Sequence, residues 1–495
     1  MTDSGLSFQI KVLHVSPECS PLAKRGGLGD VAGSLPKALN GLSVDARVLM
    51  PAWPGVMEKA RGLGSLNEIP LGAVSVALNW RAYVANVYEA RVDGVIIYLL
   101  DQPELFSDPD IYTRTNTAED ALPFIFLSYS AFELPKVTEW KPQFIHAHDW
   151  GTAVIPAALK WHRYYSRFKA DYDTIFTIHN AAHQGIFPPD SLSGWGFKES
   201  AYSTLSTETM EYYGQANLMK GAILSCDAFT TVSPRYSWDI QLPEFGFGLD
   251  GVISTNRDKF TGVLNGIDYD VWNPKKDSVI ASKYSKTNTE GKAKCREALF
   301  EACSWEDDGC PVVIFVGRLV DQKGIDIMLQ TLPYFVQDKI RMVIIGSGSD
   351  FYNRKVMNLA EDYPDSVFTI QKFSEKAAHM AYAGGDIMLM PSAFEPCGLS
   401  QLIAFKYGTI PVVRATGGLA DTVIDADSCP DGTGFVFSEY SSRELSTALA
   451  RALDANKDKN RWEKIVFNAM NADFSWEASA KAYADIYSSV LTGEN

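Results

Sequence analysis

Short β-branched and aliphatic runs alternate with longer stretches whose apolar positions recur at helical spacing, and this alternation fills most of the chain. It predicts parallel α/β units, in which strands buried on both faces read as continuous apolar runs and amphipathic helices form the crossovers. In the first half, the runs at 10–15, 46–50, 144–147, 174–178 and 228–232 are predicted strands, with helices over 118–134 and 210–225. Residues 74–101 differ, since three strand-like runs follow one another with little helix between them, predicting an antiparallel insertion. The alternation restarts at 312–316 and continues through 342–345, 367–370, 387–390 and 410–413. Asn265-Gly266-Ile267-Asp268 and Trp272-Asn273-Pro274-Lys275-Lys276-Asp277 are turn-rich and polar, which marks 265–277 as an interdomain linker. Trp476, Ala480, Tyr483, Tyr487 and Val490 keep helical spacing and predict an amphipathic terminal helix over 476–495.

The expected fold class is therefore α/β. Two doubly wound, Rossmann-like domains, 1–264 and 278–475, are expected to face each other across a cleft. Ligands in such sheets bind at the carboxyl ends of the strands.

Charge narrows the partners. With 45 Lys+Arg against 60 Asp+Glu over 495 residues, the formal charge is −15. A nucleic-acid partner needs a basic face and is not expected, so an anionic substrate must be met by a few local cations. The seven cysteines (19, 226, 295, 303, 310, 397, 429) form no C-x-x-C pair, which argues against a disulfide framework or a zinc site. Residues 1–5 lack the basic and apolar regions of a secretory leader, and no run is long enough to span a bilayer. A cytoplasmic protein without a membrane partner is expected, with a plastid stroma as the alternative for a processed chain. Oligomeric state is not legible.

Three loops carry candidate chemistry. Lys24-Arg25-Gly26-Gly27-Leu28-Gly29-Asp30-Val31 follows the first strand and opens a helix, where glycines admit a ligand and the helix start favours an anion. It also matches a loose dinucleotide fingerprint, Gly27-x-Gly29-x-x-Ala32. However, about ten residues separate strand from glycines, and the second strand ends in Met50-Pro51 without a ribose-binding acid. Arg318 and Lys323, five residues apart after the run at 312–316, can converge on a diphosphate or can simply be solvated charges. Residues 391–399 and 414–421 each lead from a strand into a helix; there Glu395 would face ligand hydroxyls or cap the helix. His146-x-His148 on one strand face admits a metal pair, but without a third clustered ligand a strand-end hydrogen-bonding role is expected instead. His179-Asn180 follows the run at 174–178 as either a ligand-facing or a structural pair. Asp-x-Asp pairs at 108–110, 171–173, 268–270 and 425–427 are too common to mark a metal–diphosphate site.

Taken together, these segments resemble the bacterial glycogen synthases and plant starch synthases, retaining glucosyltransferases of glycosyltransferase family 5 and the GT-B architecture. The resemblance rests on Lys24 to Val31, His148-Asp149-Trp150, Thr177-Ile178-His179-Asn180, Val232-Ser233-Pro234-Arg235-Tyr236, Leu264 to Asp268, Arg318 to Gly324, Pro391 to Leu402 and Tyr407 to Val423. It implies transfer of glucose from ADP-glucose to the non-reducing end of an α-1,4-glucan, with no cofactor and no metal. UDP-glucose preference or a non-catalytic glucan-binding paralogue are the alternatives, besides the disfavoured oxidoreductase.

Carried over by motif, the catalytic set is Glu395, His179, Arg318 and Lys323. Substrate-binding positions are Lys24, Gly27, Asp30, Asp149, Asn180, Cys397, Gly398, Leu399, Thr416, Gly417, Gly418 and Leu419, with the Gly417–Leu419 backbone cradling phosphate. The second domain would take the nucleotide sugar, the first the acceptor, and the terminal helix would cross back to the first domain. Gly151 stands where the family usually has His, Ala393 where it has Arg, and Gly385 where it has Ala. Position 403 is Ile, so Glu395 lacks the second Glu of a neighbouring glycosyltransferase branch.

Overall fold

The computed structural model describes residues 10–112, 117–337, 339–372 and 374–493; the segment 1–5, read for a leader, lies outside them. Two compact units emerge, one drawn from residues up to 232 with 237–264 and the chain from 476, the other from 233–236 and 265–475.

In the first unit the chain forms β1 (Ile10–Val15), β2 (Val44–Pro51), β3 (Gly72–Leu78), β4 (Arg81–Val92), β5 (Val95–Asp101), β6 (Phe144–His148) and β7 (Asp173–Ile178). There follow β8 (Ile186–Phe187), β9 (Glu211–Tyr212), β10 (Gln215–Asn217), β11 (Ala228–Thr231) and β12 (Phe260–Gly262). Nine of them build one sheet in the order β12-β11-β7-β6-β1-β2-β5-β4-β3, and β8-β10-β9 form a small second sheet. The expected insertion does not stand apart. Its β4 is antiparallel to β3 and β5, but β5 pairs parallel with β2, so the three strands extend the main sheet.

The helix expected over 210–225 starts only at Leu218. Ahead of it, β9 and β10 form a hairpin whose turn residues Tyr213 and Gly214 both have positive φ, the twist that fits a two-residue hairpin loop. The terminal helix Trp476–Thr492 belongs to this unit. Its Trp476, Ala480, Tyr483 and Tyr487 face share a core with Val31, Leu35 and Leu39 of helix Gly27–Asn40 and with Phe144 and Ile175 of the sheet. Spacing of four, three and four residues puts the four side chains on one helix stripe.

The second unit holds β13 (Val312–Val316), β14 (Arg341–Ile345), β15 (Val367–Ile370), β16 (Ile387–Met390), β17 (Ile410–Arg414) and β18 (Phe435–Phe437). All pair in parallel, in the order β15-β14-β13-β16-β17-β18. Residues 265–277 pack as part of this unit rather than as a separate linker. The Ile267 amide donates to the Phe474 carbonyl at 2.9 Å, and Trp272 stacks on His379 at 4.1 Å. Buried Asp277 meets His379 Nδ1 at 2.7 Å and accepts from the Tyr407 hydroxyl at 2.5 Å. Turn-rich composition suggests a tether; one anchored backbone amide and two anchored side chains make a strap. No helix among the described residues is long and apolar enough to cross a membrane.

Candidate active site

Each sheet reverses its winding once. In the first, β1 leads to β2 on one side and β6 to β7 on the other, so the switch point lies between β1 and β6. In the second it lies between β13 and β16. Neighbouring loops there run in opposite directions and leave a crevice at the strand ends. Most of the expected site residues sit on the loops leaving these strands and their neighbours β7 and β17.

In the first unit the loop after β1 is folded by a carboxylate absent from the sequence-based set. Buried Glu18 accepts from the backbone amides of Arg25 and, at 3.0 Å, Gly26, and from the Tyr112 hydroxyl at 2.7 Å. Burial raises its pKa against the pull of those bonds. Lys24 pairs with Asp30 at 2.6 Å across this loop, and exposed Gly27 is the first residue of the helix. A side chain at Gly29 would press on both Glu18 and Lys24 at 3.2 Å.

Asp149, held at φ 54° after β6, accepts from the His179 amide at 2.7 Å and the Asn180 amide at 3.3 Å. The Asn180 side chain accepts from the Ala182 amide at 3.0 Å, so it shapes its own turn. Burial pushes the Asp149 carboxyl up to about 7 despite its two amide bonds. Because the folded value lies above the unfolded one, the native state holds an extra proton between roughly pH 4 and pH 7, and this group's contribution to stability falls as pH rises through that window. Asp149→Asn keeps the acceptor without the charge. Its stability relative to wild type should rise between about pH 5 and pH 8 by about 2–3 kcal/mol, read from denaturant midpoints. A pH-independent difference would show the carboxylate already ionised at the lower pH.

Four histidines crowd the strand ends. His14 stands beside His146 in register on β1 and β6. His14 Nδ1 lies 3.1 Å from His148 Nε2, and His148 Nδ1 lies 3.0 Å from His179 Nε2. His146 is held elsewhere, by the Tyr487 hydroxyl at 2.7 Å and the Thr177 hydroxyl at 2.6 Å. His14 thus supplies the third clustered ligand missing from the sequence, with ring nitrogens of His14, His146 and His148 within 4.8 Å of one another. The rings do not converge on an ion, however. His146 stacks on His148 at 18° and His14 on His148 at 16°, so their in-plane lone pairs run side by side, and both nitrogens of His146 and His148 already have partners. Burial holds His14 and His179 down at about 3, so both rings are neutral.

In the second unit, Lys323 Nζ donates to Glu395 Oε2 at 2.5 Å, and the Ser392 hydroxyl donates to the same oxygen at 2.9 Å. This brings the β13 and β16 loops together at the switch point. Glu395 caps no helix, because the next one is Ser400–Tyr407 and a turn at Gly398, φ 76°, intervenes. Arg318 is exposed, and among the described residues its side chain reaches only Gln322, at 3.4 Å. Burial pushes the Cys397 thiol up to about 12, leaving it a neutral, inert group, and Leu399 lies half-buried before the helix.

The expected phosphate cradle looks different in detail. The Gly418 amide donates to the Glu395 and Pro396 carbonyls, and the Leu419 amide to the Thr416 carbonyl, so both are spent inside the protein. Added Cβ atoms at Gly417 and Gly418 would lie 1.9 Å from the Glu395 carbonyl oxygen and 2.1 Å from that of Cys397. These glycines let the loop after β17, with buried Thr416, pack against the segment that carries Glu395.

Two doubly wound sheets, one with a paired carboxylate and cations at its switch point, are the architecture of the GT-B glycosyltransferases. Residues 11–255 match the starch synthase catalytic domain and 304–468 the glycosyl transferases group 1 domain. The chain is 40% identical over 496 residues to the glycogen synthase of Cellvibrio japonicus, and 38% over 486 residues to that of Geotalea daltonii, covering 97% of this chain and 99% of each relative. The catalytic domain of starch synthase IV from Arabidopsis thaliana, solved with ADP and acarbose, matches 98% of this chain and 99% of its own at 30% identity, with a TM-score of 0.90. The chain belongs to the glycogen and starch synthase family. Gly151, one of its departures, is accounted for locally: a Cβ there would lie 3.0 Å from the Phe124 ring, which fills the space a larger side chain would need.

Proposed function

We propose that this chain transfers glucose from ADP-glucose to the 4-hydroxyl at the non-reducing end of an α-1,4-glucan, with retention at the anomeric carbon. The observation that carries the reading is the Lys323–Glu395 pair beside Arg318 at the switch point of the second sheet, in a chain that aligns end to end with glycogen synthases. As the bond from glucose to the diphosphate breaks, negative charge grows on the phosphate oxygens. Lys323, already held by Glu395, and Arg318 on the same loop would meet it, and charge in place before the bond breaks is where electrostatic catalysis gains most. Glu395 keeps Lys323 in place through Oε2, and its Oε1 would accept from sugar hydroxyls. His179, its amide held by Asp149, would contact the glucosyl unit, and Lys24 and Asp30 would line the donor side of the first unit. The backbone of Gly417 to Leu419 would act by shaping the Glu395 loop.

The test is incorporation of labelled glucose into glycogen from ADP-glucose and from UDP-glucose, separately and with excess EDTA. Incorporation from ADP-glucose that survives the chelator is expected, since the cations assigned to the leaving group are side chains. Preference for UDP-glucose would revise the donor, glucan binding without transfer would indicate a non-catalytic relative, and activity lost in EDTA and restored by a divalent ion would overturn the charge assignment.

A further inference from the structure

His14 Nε2 is fully buried and has no hydrogen-bond partner among the described residues, whereas its Nδ1 faces His148. A neutral imidazole carries one proton, and a buried N–H without an acceptor is a rarer and costlier defect than an unused lone pair. The proton of His14 therefore sits on Nδ1 and is donated to His148 Nε2. That nitrogen must then be bare, so the His148 proton sits on Nδ1 and is donated to His179 Nε2. Now His179 Nε2 is the acceptor, and its own proton has one place left.

We infer that His14 and His148 are positioning residues that lock His179 as the Nδ1–H tautomer, so that it presents a hydrogen-bond donor to a sugar oxygen of the substrate. The direction is set from the blind end of the relay, because reversing every proton would leave an N–H of His14 facing nothing. Thr152 supports the same geometry from the backbone, its hydroxyl accepting from the His148 amide at 2.6 Å and donating to the His148 carbonyl at 2.8 Å. His146, its nitrogens committed to Tyr487 and Thr177, lies outside the relay and stacks on His148 at 4.3 Å. Burial holds all three relay rings neutral, which leaves tautomer choice as the remaining variable. The functional half of the inference rests on His179 contacting the glucosyl unit, as proposed above.

The full chain labelled with ¹⁵N-histidine reads the tautomer directly, with His179 assigned by the signal lost in His179→Ala. Protonation at Nδ1 is expected in the wild type; protonation at Nε2 overturns the inference, and this measurement stands even if a relay variant fails to fold. His148→Phe removes the donor and should release the tautomer while lowering kcat about tenfold, with the donor KM changed less than about twofold. His148→Asn places an amide N–H where Nδ1 was and should recover kcat to within about threefold of wild type. Equal losses in the Phe and Asn variants, or an unchanged His179 tautomer in His148→Phe, also overturn it. Undiminished turnover of His179→Ala would withdraw instead the placement of His179 at the sugar, and with it the donor role, while the spectra still decide the tautomer.

Discussion

Arg318→Ala and Lys323→Ala should each lower kcat about a hundredfold, a loss of about 3 kcal/mol of transition-state stabilisation. The two variants should part company in stability. Arg318 is exposed and its hydrogen bond to Gln322 is long, at 3.4 Å, so its removal should shift the denaturation midpoint little. Lys323 shields a carboxylate whose side chain is 7% exposed, and its loss leaves that charge, among the described residues, with the Ser392 hydroxyl. Removing one partner of such a pair destabilises through the uncompensated charge, by about 3 kcal/mol. Lys323→Ala should therefore be both slow and less stable, while Lys323→Ala/Glu395→Gln should recover stability without recovering turnover. Near-wild-type kcat in both single variants, measured with ADP-glucose and glycogen, would remove the diphosphate assignment.

Gly417→Ala should be more damaging to the fold than either. The glycine sits at φ 44°, and a methyl group there would lie 1.9 Å from the Glu395 carbonyl oxygen, so neither rotation nor a side-chain shift can relieve the clash. Either the β17 loop or the Glu395 segment must move, at a cost of about 3–5 kcal/mol. Thermal unfolding should show a lower midpoint and assays a weakened response to ADP-glucose, since Glu395 moves with its segment. A stable variant that had lost only nucleotide affinity would mean that the glycine serves close approach by the ligand instead of loop packing.

What the sequence disclosed, and what it withheld, follows from the range of the interactions. Strand identity is a local property, and the buried parallel strands at 312–316 and 387–390 announce themselves as unbroken apolar runs. The motif loops are local too, which is why Arg318, Lys323, Glu395 and His179 could be carried over from the family resemblance, although spacing alone left each with a structural alternative. Partnership is not local. Glu18 reads as an ordinary acid until the loop of 24–30 turns back over it, and His14 becomes the neighbour of His146 only through the pairing of β1 with β6, more than 130 residues apart. Gly417 and Gly418 were legible as special positions, but the carbonyls that demand them lie about twenty residues upstream. The hairpin of β9 and β10 was hidden because Met210 to Ser225 is apolar enough for a helix, and only the pair of positive φ angles at Tyr213 and Gly214 breaks it.

The terminal helix carries a consequence for how the protein is made. Its Tyr487 hydroxyl bonds His146, and its Trp476 and Tyr483 complete the core around β1, β6 and β7. A ribosome reaches these residues only after translating 265–475, the bulk of the second unit. At about 5–20 residues per second, that leaves the first unit's core open for roughly ten to forty seconds. During that interval, the stripe of sheet and helix destined for Tyr483 and Tyr487 is exposed apolar surface on a nascent chain, the kind of surface that chaperones bind. The second unit needs no such wait. Vectorial synthesis should thus reverse the order of the genetic text, with the later domain closing its core before the earlier one.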